Sequence, residues 1–164
     1  VTFIWFGGGN DSLVTQEVKE AVKNKSANVI FAGFVEASEL KNAYCGADAF
    51  AFFSYEETEG IVVLEALACE VPVILRDIPV YKGWIEDQVQ AYKVHNLEEY
   101  KNQLMHIFNQ EQLLKNAREL AENRSIKAAG ERLKVVYRLA DTFVVKSSHR
   151  KFFYRSVRKR KYNL

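Results

Sequence analysis

Short, continuous apolar runs alternate with stretches of helical periodicity over the first 95 residues, and this alternation constrains the fold more than any other feature. Apolar runs without a polar residue at every second position are typical of parallel strands that are covered on both faces. The runs are 2–6, 28–33, 48–53, 71–75 and 91–94, and the helical stretches are 11–24, 38–45 and 60–69. The pattern predicts an α/β fold, with a Rossmann-like parallel sheet and helices on both of its faces.

The strand pattern stops at Asn96, and the remainder of the chain is predicted to be helical. Asn96 and Glu99 have the spacing of a capping box at the start of the first C-terminal helix. The predicted C-terminal helices are 97–108, 111–123 and 126–146. With 48% apolar residues, the 164-residue chain can bury a core, which excludes a disordered linker. We therefore expect one domain over 1–146 and a basic tail over 147–164.

Nothing in the sequence predicts export or membrane insertion. The first residues lack the basic segment of a signal peptide, and no apolar run reaches the roughly 18 residues of a spanning helix. Cys45 and Cys69 lie in apolar stretches and are expected to be buried free thiols in a reducing cytoplasm. We expect a cytoplasmic protein.

Ligands of open parallel sheets bind at the carboxyl ends of the strands, and three loops there are candidates: 7–11, 54–60 and 33–36. The first contains Gly8 and Gly9, whose amides could approach a phosphate, although a tight turn that requires positive φ explains them equally well. The second is 54–60, which leads into an apolar helix. Its glycine has no side chain, so a ligand can reach the free amides at the helix start, and these amides suit a diphosphate. The residues concerned are Gly60, Ile61 and Val62.

Carboxylates flank the start of this helix on both sides. Glu65 is the only charged residue among apolar neighbours, so it requires hydrogen-bond donors, which the two hydroxyls of a ribose would supply. An ion pair or a solvent-facing position are the alternatives for Glu65. The acidic cluster Glu56, Glu57 and Glu59 would be favoured by the helix dipole alone, yet it would repel a diphosphate. If phosphate binds here, at least one of these carboxylates faces neutral hydroxyls.

The string EETEGIVVLEALACEVPVI resembles the Glu-x7-Glu signature of the retaining family 4 glycosyltransferases, which have the GT-B fold. Glu57 and Glu65 occupy the two glutamate positions, and Gly60 matches the glycine before the helix. The segments FAGFV (31–35) and CGADAFAFFSYEE (45–57) extend the resemblance, which covers about residues 2–95.

The resemblance implies a site for a nucleotide sugar and a reaction without metal or other cofactor. Glu57 would contact the donor sugar near the reacting carbon, and Glu65 would hold the ribose. The amides of Gly60, Ile61 and Val62 would bind the donor phosphates. The backbone around Phe34 and Val35 would lie near the nucleobase. The implied donors are UDP-glucose and UDP-galactose.

The segments SYEETEGIVVLEALA and RDIPVYKGW are most similar to bacterial transferases that add glucose or galactose to diacylglycerol or glucosyl-diacylglycerol. A membrane glycolipid is therefore the expected acceptor. A transferase for cell-wall or capsular polysaccharide and a non-catalytic nucleotide-binding module are the alternatives. Glu59 departs from the family pattern, which commonly has an aromatic residue or glycine there.

The family's acceptor domain, and the first strand and helix of its donor domain with their basic phosphate-binding pair, are not recognisable in this chain. The N-terminal acceptor domain is thus an expected partner. The isolated chain is predicted to be inactive or nearly so.

The net positive charge of the chain comes from its C-terminal end. No acidic residue follows Asp141, while eight lysines and arginines do, so that residues 1–141 are net acidic. At helical spacing, Phe152, Phe153 and Val157 share one arc, whereas Lys151, Arg155 and Arg158 share another. Such a segment fits an anionic membrane surface at the inner face of the membrane, or packing on the first domain of the enzyme. The acidic remainder of the chain argues against nucleic acid.

The tail predicts salt-sensitive adsorption to anionic lipid. The chain should sediment with phosphatidylglycerol vesicles and not with phosphatidylcholine vesicles, because each surface cation contributes about 1 kcal/mol to binding. Deletion of 147–164 should abolish the difference. Equal sedimentation with both vesicle types would show that the tail does not bind lipid.

Overall fold

A computed structural model describes residues 1–8, 14–107 and 110–144, with side chains described through residue 140. The chain divides into two compact units, one over Val1–Glu119 and one that begins at Leu120. The strands are β1 (Phe3–Phe6), β2 (Val29–Gly33), β3 (Phe50–Phe52), β4 (Val73–Arg76) and β5 (Tyr92–Val94). The helices are α1 (Gln16–Lys23), α2 (Ala37–Gly46), α3 (Ile61–Ala68), α4 (Leu97–Met105), α5 (Glu111–Asn123) and α6 (Ile126–Val144). A 3₁₀ turn, Pro79–Tyr81, follows β4.

The predicted α/β fold is confirmed, but its strands form two sheets instead of one. The two sheets have the orders β1-β2 and β3-β4-β5, and every strand pair is parallel. Phe3 pairs with Val29 in the first sheet, and Phe50 pairs with Val73 in the second. Within the described residues β1, β2, β3 and β5 each have one unpaired edge, so the parallel strands are divided between two sheets.

The two sheets also differ in burial. Val73, Ile74 and Leu75 of β4 are fully buried, as predicted for a strand that is covered on both faces. In the first sheet Trp5 remains 65% exposed and Ile30 44% exposed, contrary to that prediction. The apolar stripe of α1 is exposed as well, and α1 has no buried residue. An apolar run specifies a strand suited to full burial, but the covering surface has to be supplied by other elements.

The core lies where α4 and α5 pack on the second sheet. Its buried members are Ile74, Tyr92, Val94, Ile107 and Leu113. Phe53 and Tyr100 extend it with an edge-to-face ring contact at 4.6 Å between centroids. This cluster fixes β4 and β5, and thereby the loops at their carboxyl ends.

Helix ends follow local hydrogen bonds. The Asn96 side chain accepts from the Glu99 amide at 2.9 Å, which confirms the predicted cap of α4. The Glu99 carboxylate accepts from the His95 amide at 2.8 Å, and this bond lowers the pKa of Glu99. Helix α1 is capped by Thr15 and begins at Gln16, five residues after the predicted start. The tail 147–164 lies outside the described residues.

Both cysteines are free, as predicted, but they are less buried than expected. Cys45 is exposed on α2, and Cys69, at the end of α3, is half-buried. Among the helices of the described residues, none has the length and apolar character to cross a membrane.

Truncation of Ile74 tests the core. Ile74→Ala should lower the free energy of unfolding by about 2–5 kcal/mol, because it leaves a cavity in a fully buried position. Leu97→Ala, at a position 65% exposed, should change it by less than about 0.5 kcal/mol. Urea unfolding measures both, and equal effects would contradict the assigned core.

Candidate functional site

The candidate site lies at the carboxyl ends of the neighbouring strands β3 and β4. The loop 54–60 connects β3 to α3, and the 3₁₀ turn Pro79–Tyr81 follows β4. Because β3 and β4 are parallel neighbours, both segments leave the sheet at the same edge. The structure thus brings together two segments that are twenty residues apart in sequence.

Gly60 is buried and forms the start of α3 in a left-handed conformation, with φ 71° and ψ 47°. Its carbonyl accepts from the amides of Val63 and Leu64. The amides of Ile61 and Val62 have no acceptor among the described residues, as is usual for the first turn of a helix. A Cβ on Gly60 would lie 3.0 Å from the ring of Tyr81. Residue 60 therefore has to be glycine both for its φ and for this contact.

The ring of Tyr81 packs against Gly60. Its side chain is fully buried, and its ring meets Trp84 edge-on at 5.7 Å between centroids. The Tyr81 hydroxyl has no hydrogen-bond partner among the described residues. Burial, and to a smaller extent the Glu57 carboxylate, raises the pKa of Tyr81 to about 12, so the phenol stays protonated at neutral pH.

The acidic loop has two kinds of carboxylate. Glu57 is half-buried and accepts a hydrogen bond from the Ser54 hydroxyl at 3.1 Å. Glu56 and Glu59 are exposed to solvent. Glu57 is therefore the member of the cluster whose position is fixed by the protein and whose charge acts on the interior of the site.

Arg76 holds the same loop from the end of β4, a contact that the sequence did not reveal. Its guanidinium carbon lies 3.9 Å from the ring centroid of Tyr55, and its side chain donates to the carbonyls of Phe53 and His95 at 3.4 Å each. A cation stacked on a tyrosine ring stabilises such a loop by about 0.5–1 kcal/mol. The only sequence signal was a cation directly after a buried strand.

Glu65 lies on the exposed face of α3 and is not buried as its apolar neighbours suggested. It shares this face with Ile61, four residues earlier, which is 59% exposed. The Tyr44 hydroxyl of α2 donates to Glu65 Oε2 at 3.2 Å, whereas Oε1 has no hydrogen-bond partner among the described residues. Burial, together with the Glu65 charge, raises the pKa of Tyr44 well above its ordinary value. Tyr44 is thus a neutral donor that the sequence did not identify.

The remaining predicted residues lie at the ends of β1 and β2. Gly8 has open space around it, and Gly9 lies outside the described residues. Phe34 is 85% exposed and Val35 is half-buried. No described contact joins these residues to the start of α3, so the structure does not unite them with the rest of the predicted site.

No group of three or more His, Cys, Asp or Glu residues in the described part of the chain is arranged to hold a metal ion. A cleft of about 310 Å³ lies elsewhere, between β5 and α4, where its lining includes Lys93, Glu99 and His106. It contains none of the candidate residues. The groups that the described residues present at the candidate site are backbone amides, carboxylates and tyrosine hydroxyls.

Comparison with known proteins finds a matching family and similar proteins. Residues 3–125 match the family described as "Glycosyl transferases group 1". The chain is 42% identical over 139 residues to the processive diacylglycerol alpha-glucosyltransferase of Acholeplasma laidlawii, a match that covers 84% of this chain and 42% of that protein. It is 33% identical over 136 residues to the alpha-galactosylglucosyldiacylglycerol synthase of Streptococcus pneumoniae, covering 81% of this chain and 36% of that protein.

The fold is similar to that of the pneumococcal O-GlcNAc transferase GtfA, solved in complex with UDP and GlcNAc. That match has a TM-score of 0.62 at 24% identity and covers 83% of this chain and 29% of that chain. In all three comparisons the chain spans less than half the length of the protein that it matches.

The contact between Gly60 and Tyr81 predicts different costs at two glycines. Gly60→Ala and Gly83→Ala both place a side chain at a positive φ, 71° and 81°, which costs about 1–2 kcal/mol. Only Gly60→Ala also meets the Tyr81 ring, because a Cβ at Gly83 has no atom within 4 Å. Thermal unfolding should show an additional loss of about 1–3 kcal/mol for Gly60→Ala. Equal losses would mean that the ring yields to the new methyl group.

Proposed function

The chain belongs to the glycosyl transferases group 1 family, and from this premise we propose that it forms the nucleotide-sugar-binding part of a retaining hexosyltransferase. The relatives are named for transfer of glucose and for synthesis of a galactosylglucosyl lipid, which supports a UDP-hexose donor. The complex of GtfA with UDP, a protein of the same fold, supports the same class of nucleotide.

One observation carries the proposal: the exposed face of α3 presents two groups, about one helical turn apart, that complement the diphosphate and the ribose of a nucleotide. The free amides of Ile61 and Val62 lie at its start, and the unpaired Oε1 of Glu65 lies about one turn further along. Amides at a helix start bind phosphate oxygens, and a carboxylate accepts from vicinal hydroxyls. The diphosphate would therefore lie at the helix start and the ribose at Glu65.

Glu57 has the position for the donor sugar. It lies in the loop before the helix start, and the Ser54 hydroxyl fixes one of its oxygens. A carboxylate there orients neutral sugar hydroxyls, whereas it would repel the phosphates. The helix amides stabilise the negative charge that develops on the leaving diphosphate when the glycosidic bond breaks. Glu57 thus positions the sugar and does not act as a general base.

The acceptor in this proposal is a membrane glycolipid. Both curated relatives described above are named for diacylglycerol lipids. A lipid acceptor requires contact with the membrane surface, which the basic residues of the tail 147–164 would provide by attraction to anionic headgroups. The protein would then act at the cytoplasmic face of the membrane.

The proposal includes further polypeptide that completes the enzyme. The unpaired edges of β1 and β3 and the exposed apolar residues of the first sheet suit an additional parallel strand and covering helix. The matches extend over only 42% and 36% of the relatives' own lengths. We infer that this additional strand and helix, together with an acceptor domain, form the remainder of the protein.

Calorimetry with UDP and 2′-deoxy-UDP tests the ribose role of Glu65. Glu65→Ala should weaken UDP binding at least about ten-fold, because hydrogen bonds from the ribose to a carboxylate are lost. The wild type should prefer UDP over 2′-deoxy-UDP, and the variant should bind both alike.

Glu59→Gln provides the matched control. It removes a negative charge just before the start of α3 without changing the ribose position, so UDP affinity should rise slightly. Unchanged affinity in Glu65→Ala would remove the assigned role, and absence of UDP binding by the wild type would remove the proposed function.

A further inference from the structure

The Tyr81 hydroxyl is a buried hydrogen-bond donor without an acceptor, and the inference from it deepens the proposed function and rests on it. The side chain is fully buried, and its oxygen has no hydrogen-bond partner among the described residues. A buried hydroxyl without a partner costs about 1–3 kcal/mol. Because this unpartnered hydroxyl lies next to a candidate ligand site, it points to an acceptor that belongs to the ligand.

The hydroxyl is held at the start of α3 by both its backbone and its ring. The Tyr81 amide donates to the Ile78 carbonyl, and its own carbonyl accepts from the Ile85 amide, each at 3.1 Å. The Tyr81 oxygen lies 3.1 Å from the position that a Cβ on Gly60 would occupy. The hydroxyl is therefore adjacent to the residue that precedes the free amide of Ile61.

The surroundings of the hydroxyl determine what it can bind. Burial of the hydroxyl disfavours the phenolate most, and the nearby Glu57 carboxylate disfavours it further. Tyr81 thus remains a neutral donor, and its complement is an acceptor oxygen. The acceptor oxygens that the amides at this helix start would attract are those of phosphate.

We propose that the Tyr81 hydroxyl donates a hydrogen bond to an oxygen of the distal phosphate of the bound nucleotide diphosphate. Gly60 and Glu65 are separated by about 7.5 Å along the helix axis. With the ribose at Glu65, the phosphate that reaches Gly60 is the one further from the ribose. Tyr81 would then distinguish a diphosphate from a monophosphate, and the loop 54–60 would adjust to admit the phosphate oxygen.

The chain offers a matched control in Tyr92. Its hydroxyl is also buried without a hydrogen-bond partner among the described residues. Tyr92 lies in the core cluster with Ile74 and Val94, and it contacts none of the candidate site residues. Tyr81→Phe and Tyr92→Phe therefore remove the same atom from a similarly buried ring, one at the site and one away from it.

Calorimetry of the wild type and both variants with UDP and with UMP tests the proposal. Tyr81→Phe should weaken UDP binding roughly ten-fold and leave UMP binding unchanged, since UMP lacks the distal phosphate. Tyr92→Phe should leave both affinities unchanged. Without nucleotide, both variants should melt at or above the temperature of the wild type, because each loses an unpaired buried hydroxyl.

Two results would overturn the proposal and leave the proposed function standing: unchanged UDP affinity in Tyr81→Phe, or an equal loss for UDP and UMP. An equal loss together with a lower melting temperature would assign Tyr81 a structural role only. Absence of UDP binding by the wild type would overturn the proposed function, and this inference with it.

Discussion

The candidate site depends on the contact between Gly60 and the ring of Tyr81. The ring lies where a side chain at residue 60 would have to be, so the turn after β4 packs directly against the start of α3. Close packing of backbone on ring is possible only because glycine tolerates the left-handed conformation at this position. The first amides of α3 have no acceptor among the described residues, and the buried Tyr81 hydroxyl lies beside Gly60. The anion site of the proposed function thus depends on a steric requirement.

The loop before α3 carries negative charges, although a phosphate-binding site would be expected to carry positive ones. Three carboxylates precede a helix start that would otherwise attract phosphate, and Coulomb repulsion would weaken the binding of a diphosphate. The structure separates them: Glu57 is held by Ser54, whereas Glu56 and Glu59 extend into solvent, where their charge is screened. Arg76, stacked on Tyr55, fixes the beginning of the same loop. In the proposed function, the loop therefore presents Glu57 to the sugar without placing all its charge on the phosphates.

The two sheets differ in how far their strands are buried. In the second sheet the central strand β4 is buried, while the first sheet exposes apolar side chains and unpaired edges. Exposed apolar strands with free edges are unfavourable in water and promote association. This asymmetry agrees with a chain that matches less than half the length of its relatives. The loop with Glu57 and Gly60 follows β3 of the second sheet, whereas Gly8, Phe34 and Val35 follow the strands of the first.

The sequence alone determined the element types, the parallel strands and the family, because apolar periodicity, the cap at Asn96 and the Glu-x7-Glu spacing are local signals. It also predicted roles for Gly60, Glu57 and Glu65, which stay predictions. It did not determine the separation into two sheets, the exposure of Glu65 or its bond to Tyr44, nor the positions of Arg76 and Tyr81. Those features join residues about twenty positions apart, through strand pairing and helix packing. Only the tertiary structure decides them, because no local pattern records which distant side chain reaches a given atom.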